Sequence, residues 1–408
     1  MKGIHASWRR RLLIVATVGL SALAVAYLGN GFHTLIFGDA NDLQKRWLEQ
    51  TYVASGIDPY EGFDAKPEVI ERLGQREEHL PRMHAGGYPP WAFLTGFAFT
   101  PPLAFNTLKV YFALVNAVCL ALIAGWAYSV GRRLGGLEAA FLTSATLAIF
   151  SSAISLRLGN YGVVITALLA GMLILESRGV RWRGVQGIVL GLAALKPNIS
   201  APFGLALLVR RRWLGVTLCV SYIVAASAVV WWLVGSDPLT MLESMYDQSG
   251  KWEAGDSGVI GLLLDAGLSR GIVTGTALIL GSLCASAVAW YSRECPLFVT
   301  FALISPFARL WMYHRRYDDT MLVFLLVALA WLAFKRPRTI NVGVFVLVGL
   351  SLWLPHREAD QTTWLIFLRV SCWLAGTLTL LTEIGRGRVG VFWGENPALQ
   401  PAGSGFTK

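Results

Sequence analysis

Apolar residues in this chain come in long unbroken runs, neither alternating as in a half-buried strand nor confined to one face as in a surface helix. The first run covers 12–28. Further runs at 106–130, 137–156, 160–176, 212–235, 271–291, 295–312, 318–334, 339–355 and 362–384 each approach the roughly 20 residues that a helix needs to cross hydrocarbon. Residues 91–105 are interrupted by Pro101-Pro102 and predict a tilted or re-entrant piece. The stretch 184–209 has arginines at both ends and Lys196-Pro197 in its middle. Its ends must lie on the same side, so it predicts a hairpin of two short helices broken at Pro197, with Lys196 near the tip.

Basic residues punctuate these runs: Arg132-Arg133, 178–183, 210–212, Arg293, 335–338, and Arg386 with Arg388. Short loops rich in Lys and Arg stay on the cytoplasmic side, which orients the threading. The expectation is an all-α polytopic membrane protein forming one transmembrane domain over 1–408, with about 10–13 membrane helices. Both termini are expected in the cytoplasm, and the cell (inner or plasma) membrane is the expected location. The basic start with Arg9 to Arg11 ahead of 12–28 predicts an uncleaved first helix. Two extracytoplasmic loops are then expected, a long one at about 30–90 and a second at 236–270.

Composition agrees with this reading. With 55% hydrophobic and 15% charged residues the chain is too apolar for a soluble globule, in which charged residues make up roughly a quarter. Its net charge of +10 lies in clusters between apolar runs and not on a patch, so it tracks topology and excludes a nucleic-acid partner. The five cysteines are scattered without metal-binding spacing and read as small packing residues.

Candidate chemistry concentrates in the polar segments. The first loop carries Asp39 and Asp42 close to the membrane exit, where a carboxylate can face a low-dielectric surface. Residues 43–54 lack Gly and Pro and predict a short helix capped by Asn41 or Asp42. The segment 61–84 is charged and reads as surface-lying. Lys196 within an apolar hairpin is costly unless it is paired or functional. His314, Arg315, Arg316 and Asp318 form a second dense cluster. On a helix His314 and Asp318 would be four apart and could hydrogen-bond, and guanidinium forks suit phosphate oxygens. A carboxylate base, Asp42, near a phosphate site formed by Lys196 with His314, Arg315 and Arg316 points to a lipid-phosphate substrate.

These residues resemble a known family, the polytopic mannosyltransferases that use polyprenol-phosphate-mannose, which belong to the GT-C fold class. The resemblance runs over about 30–335. Asp42 precedes Gly56-Ile57-Asp58-Pro59-Tyr60, and Tyr88-Pro89-Pro90 follows. A Gly-Asn junction comes next at Gly159-Asn160. Lys196-Pro197 closes a Gly/Ala/Leu-rich stretch, Arg211-Arg212-Trp213 trails it, and Ser305-Pro306 precedes His314. The resemblance implies transfer of a sugar, mannose above all, from a polyprenyl-phosphate donor to a lipid or glycan hydroxyl. Transfer would proceed with inversion on the extracytoplasmic face, with Asp42 as base and Asp39 as its backup. Tyr60, Tyr88, Asn160 and Asp318 are the expected substrate contacts. No cofactor is demanded, although Asp39 with Asp42 could hold a divalent cation. A transporter or flippase of a lipid-linked intermediate shares the helices and buried cations, but no internal repeat points to one.

Overall fold

The computed structural model describes residues 2–62, 87–249, 259–312, 314–355 and 363–387. Most of the charged segment 61–84, the C-terminal tail and Tyr313 lie outside the described residues. All regular structure among the described residues is helical, as the apolar runs predict.

In chain order the α-helices are α1 (Lys2–Phe37), α2 (Asn41–Ala54), the single turn α3 (Pro59–Gly62), α4 (Pro90–Phe99), α5 (Phe105–Arg132), α6 (Gly136–Leu147), α7 (Phe150–Leu158) and α8 (Gly162–Ser177). They continue with α9 (Arg183–Ala193), α10 (Pro197–Val209), α11 (Trp213–Val234), α12 (Pro238–Ser249), α13 (Val259–Asp265) and α14 (Arg270–Tyr291). The last are α15 (Leu297–Leu310), α16 (Val323–Lys335), α17 (Thr339–Trp353) and α18 (Thr363–Gly385), with a 3-10 turn Arg316–Leu322 leading into α16.

Six helices, Trp8–Phe37, Phe105–Arg132, Trp213–Val234, Arg270–Tyr291, Arg316–Lys335 and Trp364–Gly385, are long and apolar enough to span a bilayer. The run expected at 137–156 is instead a pair, α6 and α7, bent by 44°. Five apolar helices of 10–17 residues are too short to cross alone, among them α4, whose ten residues cover about 15 Å.

Helix α1 departs from expectation at its end. It continues through Gly29-Asn30-Gly31 to Phe37, so the first polar loop opens later than the sequence suggests. The reason is close packing against α7: a Cβ at Gly31 would lie 3.0 Å from both the Ala153 carbonyl oxygen and the Leu156 Cβ. Tertiary contact outweighs local helix propensity there.

The 184–209 hairpin forms as predicted. Leg α9 ends at Ala193, the chain turns through Ala194 to Lys196, and Pro197 starts α10 at a position where its missing N–H costs nothing. At the base, Arg183 and Arg210 to Arg212 line one cavity, so both ends of the hairpin meet. Pro202 inside α10 cannot donate to the carbonyl of Asn198. Trp311 takes up that orphan, its indole Nε1–H donating to Asn198 O over 2.7 Å, which ties the hairpin to the segment after α15.

The core is built around α16. Every residue from Val323 to Ala333 is buried, as expected of a helix apolar on all sides and walled by protein. Phe203, Phe301 and Phe324 stack edge to face beside it, with ring centroids 4.9–5.7 Å apart. The polar site sits on the N-terminal end of this helix.

Candidate active site

Three elements from distant parts of the chain converge on the 3-10 turn. Helix α2 brings Asp42 and Arg46, the α7–α8 junction brings Asn160, the hairpin tip brings Lys196 and Asn198, and the turn itself brings Asp318.

Asn160 is the hub. The preceding Gly159 closes α7 in the left-handed region at φ +72°, and a Cβ there would lie 2.3 Å from the Cβ of Leu43. Only glycine permits both the turn and the approach of α2. Ser155 fixes the next residue: its Oγ donates to Asn160 O over 3.0 Å, and the Asn160 N–H donates to Ser155 O over 2.8 Å. The side-chain amide is then oriented by its partners. Asn160 Oδ1 accepts from the Gly162 N–H at 3.1 Å and from Lys196 Nζ at 3.5 Å, which leaves Nδ2 to donate to Asp42 Oδ2 at 3.0 Å.

From Lys196 the chain of contacts continues to Asp318, whose Oδ1 forms a buried ion pair with Nζ. The ammonium also lies 4.6 Å from the Tyr317 ring centroid. Asp318 Oδ2 accepts the Arg315 N–H at 3.2 Å. The acid is therefore held from both oxygens, which satisfies a carboxylate that is 1% exposed.

His314 corrects the sequence reading. The segment is not helical: α15 ends at Leu310, the 3-10 turn begins at Arg316, and His314 lies in the connection. Its Nδ1 stands 3.6 Å from Asp318 Oδ2, too long for the expected hydrogen bond. The ring is held by Asn198 Nδ2, 3.1 Å from Nδ1, and by Ala308 O at Nε2. Full burial, with Arg309 and Lys196 nearby, pushes its pKa well below the usual imidazole value, so it is neutral at pH 7.

Asp42 is also corrected. Helix α2 starts at Asn41, and Ala40 occupies the cap position at φ 45° without a side-chain bond. Asp42 stands in the first turn, where the helix dipole favours its charge, and one of its oxygens accepts from Asn160 Nδ2. Its second oxygen is 3.9 Å from Lys45 Nζ.

The other expected residues divide. Tyr88 belongs to the site: Arg46 covers its ring at 4.0 Å, and the charges of Asp42 and Asp318 both reach its hydroxyl. Burial raises the Tyr88 pKa well above the ordinary phenol value, so it remains a neutral donor. Tyr60 lies beside it, its hydroxyl donating to Tyr88 O while its ring packs with Val53 and Phe93 in a smaller apolar cluster. Arg315 is near enough to Lys45 to act on its charge, and Arg316 is buried at the start of the 3-10 turn. Asp39 is exposed and makes no hydrogen bond or ion pair with a described residue. Among the described residues no group of three or more His, Cys, Asp or Glu side chains comes together as a metal site.

Sequence reasoning missed Arg46 and Glu49. Arg46 Nη1 is 2.9 Å from Glu49 Oε2, in an ion pair too poorly aligned for a hydrogen bond, and it has no hydrogen-bond acceptor although buried. A helical count from Asp42 through 46, 49 and 53 puts them on one stripe, and that spacing was the available signal.

An all-helical bundle with apolar outer helices, enclosing an acid–amide–ammonium network beside cationic side chains, defines a multi-pass membrane protein with an internal polar site. The family model for Glycosyltransferase family 87 matches residues 87–334, more than half of the chain, and the chain belongs to that family. It is therefore a glycosyltransferase. Asn160, Lys196 and Asp318 fall inside the matched region and Asp42 lies before it. No curated protein and no solved structure matches the chain.

Proposed function

We propose that this glycosyltransferase moves a sugar, mannose in the first instance, from a polyprenyl-phosphate carrier to a lipid or glycan hydroxyl, with inversion, on the extracytoplasmic face of the cell membrane. The observation that carries the reading is the continuous line Asp42, Asn160, Lys196, which sets a carboxylate and a cation a single amide apart.

Asp42 takes the proton of the acceptor hydroxyl as that oxygen bonds to the anomeric carbon. The bond from this carbon to the phosphate oxygen breaks, its electron pair leaves with the polyprenyl phosphate, and attack from the opposite side inverts the centre. Lys196, with Arg46 and Lys45 across the site and Arg315 near Lys45, stabilises the departing charge. The buried Arg46 Nη1 without an acceptor gains one when a phosphate oxygen arrives. Asn160 keeps one Asp42 oxygen occupied and directs the other at the acceptor. A divalent cation could assist at Asp42, although Asp39 stands outside the network.

The test is transfer of radiolabelled sugar by the purified protein from a panel of polyprenyl-phosphate sugars, wild type beside Asp42→Asn. Label reaching an acceptor in the wild type only supports the reading and names the sugar. Transfer from a soluble nucleotide sugar instead, or full activity of Asp42→Asn, overturns it.

A further inference from the structure

A second polar centre lies at the base of the same hairpin, separated from Lys196 by the 11 residues of α9 and the 13 of α10, about 16–20 Å. A cavity of about 400 Å³ opens there between the hairpin and the end of α14. Its wall carries Arg183 at the start of α9, Arg210 to Arg212 after α10, and Arg293 with Glu294 after α14. Two carboxylates answer these five guanidinium groups, Glu294 paired with Arg293 at 3.3 Å and, behind the wall, Glu176 paired with Arg212.

A cluster that merely follows the positive-inside rule is solvated, its cations turned to water. This one is not. Arg212 is buried, its two Nη groups bound by both oxygens of Glu176 and by Gln186 Oε1. Arg210 spends Nη2 on the carbonyls of Ser292 and Cys295 and on Thr300 Oγ1, while its buried Nε has no acceptor. Burial, and Arg212 beside it, pull the Arg210 pKa down to about 10; five arginines against Glu294 and Glu176 leave the wall net positive. Arg183 and Arg211 make no side-chain hydrogen bond or ion pair with any described residue. Arg293 is braced over the Trp290 ring at 4.0 Å.

We propose that this cavity binds a phosphate group, that of an anionic phospholipid headgroup. Guanidinium forks match phosphodiester oxygens, and basic pockets between membrane helices suit anionic headgroups. The surroundings favour a lipid over a soluble ion. Trp290 in the wall and Trp213, next in sequence to Arg212, are 55% and 61% exposed, as interfacial aromatics are, and along α11 from Trp213 the exposed Val220 and Val224 offer a surface for acyl chains. This site is independent of the sugar-transfer chemistry at the hairpin tip.

The experiment is native mass spectrometry of the full chain released from nanodiscs of phosphatidylcholine containing a minor fraction of phosphatidylglycerol. The wild type is expected to retain one phosphatidylglycerol in preference to phosphatidylcholine. The triple variant Arg183→Gln, Arg211→Gln, Arg293→Gln loses roughly fivefold in apparent affinity per arginine removed. Glu294→Gln, which removes the lining carboxylate, binds more tightly, and this arm stands even if the triple variant fails to fold. Equal retention of the two lipids, or a Glu294→Gln variant that binds less, overturns the proposal. In a parallel detergent experiment, stabilisation by millimolar inorganic phosphate in the absence of any lipid preference shows a soluble anion and overturns the assignment to lipid.

Discussion

Lys196 and Asp318 are 122 residues apart in sequence and form one buried ion pair, the ammonium on a hairpin tip and the carboxylate on a 3-10 turn. Neither element could hold its charge at that depth alone. Breaking such a pair costs more than removing it whole, because the survivor is left uncompensated.

Asp318→Asn and Lys196→Met should each destabilise the protein by about 3–5 kcal/mol, whereas Lys196→Met combined with Asp318→Leu should recover much of that loss. Melting temperature in detergent and sugar transfer are to be read together. A double variant that is stable but inactive places the pair in the chemistry. One that is stable and active makes the pair purely structural.

Arg46→Gln removes a buried guanidinium with an unmatched Nη1 donor, one that a substrate oxygen can satisfy. The KM for the lipid-linked donor should rise by about tenfold or more, in keeping with a charge-assisted hydrogen bond of roughly 1.5–3 kcal/mol, with a smaller change in kcat. Steady-state kinetics with varied donor decides it, and an unchanged donor KM removes Arg46 from the phosphate site.

Gly159→Ala should cost at least about 1–2 kcal/mol from the left-handed backbone alone. The added methyl also meets Leu43, so α2 must shift and the Asp42–Asn160 bond lengthens. The expected result is a lower melting temperature together with a loss of kcat beyond what partial unfolding explains. A fully active Gly159→Ala enzyme would mean that Asp42 does not depend on this contact.

His314 is buried neutral, with a folded pKa held below the roughly 6.5 of an unfolded histidine. The unfolded chain therefore binds the proton first, and stability falls as pH drops through 6.5 towards the folded value. His314→Gln should flatten the fall in melting temperature between pH 7 and pH 5. An identical slope in both proteins assigns that pH dependence to other groups.

Apolar run length predicted the helices closely: 106–130 became Phe105–Arg132 and 318–334 became Arg316–Lys335, because in hydrocarbon every backbone group must be satisfied within its own segment. Lys196-Pro197 betrayed its turn because a lysine and a proline in an apolar stretch each demand a reason. Other features were not legible. The continuation of α1 through Gly31 depends on α7 lying against it, and no local signal carries that contact. The contact of His314 with Asn198, like that of Trp311 with the Asn198 carbonyl, joins segments more than a hundred residues apart. Arg46 and Glu49 carried only the weak signal of helical spacing from Asp42, and their burial depends on the fold.

Because α16 is enclosed by protein on every side, Asp318 is mounted on a post walled off by the surrounding helices. Outer helices such as α11 and α14 can tilt to suit a thicker or thinner bilayer at a modest cost, while the post and its 3-10 turn stay in register. Acyl-chain length should therefore alter how readily a long lipid substrate arrives between the outer helices far more than how fast a bound one reacts.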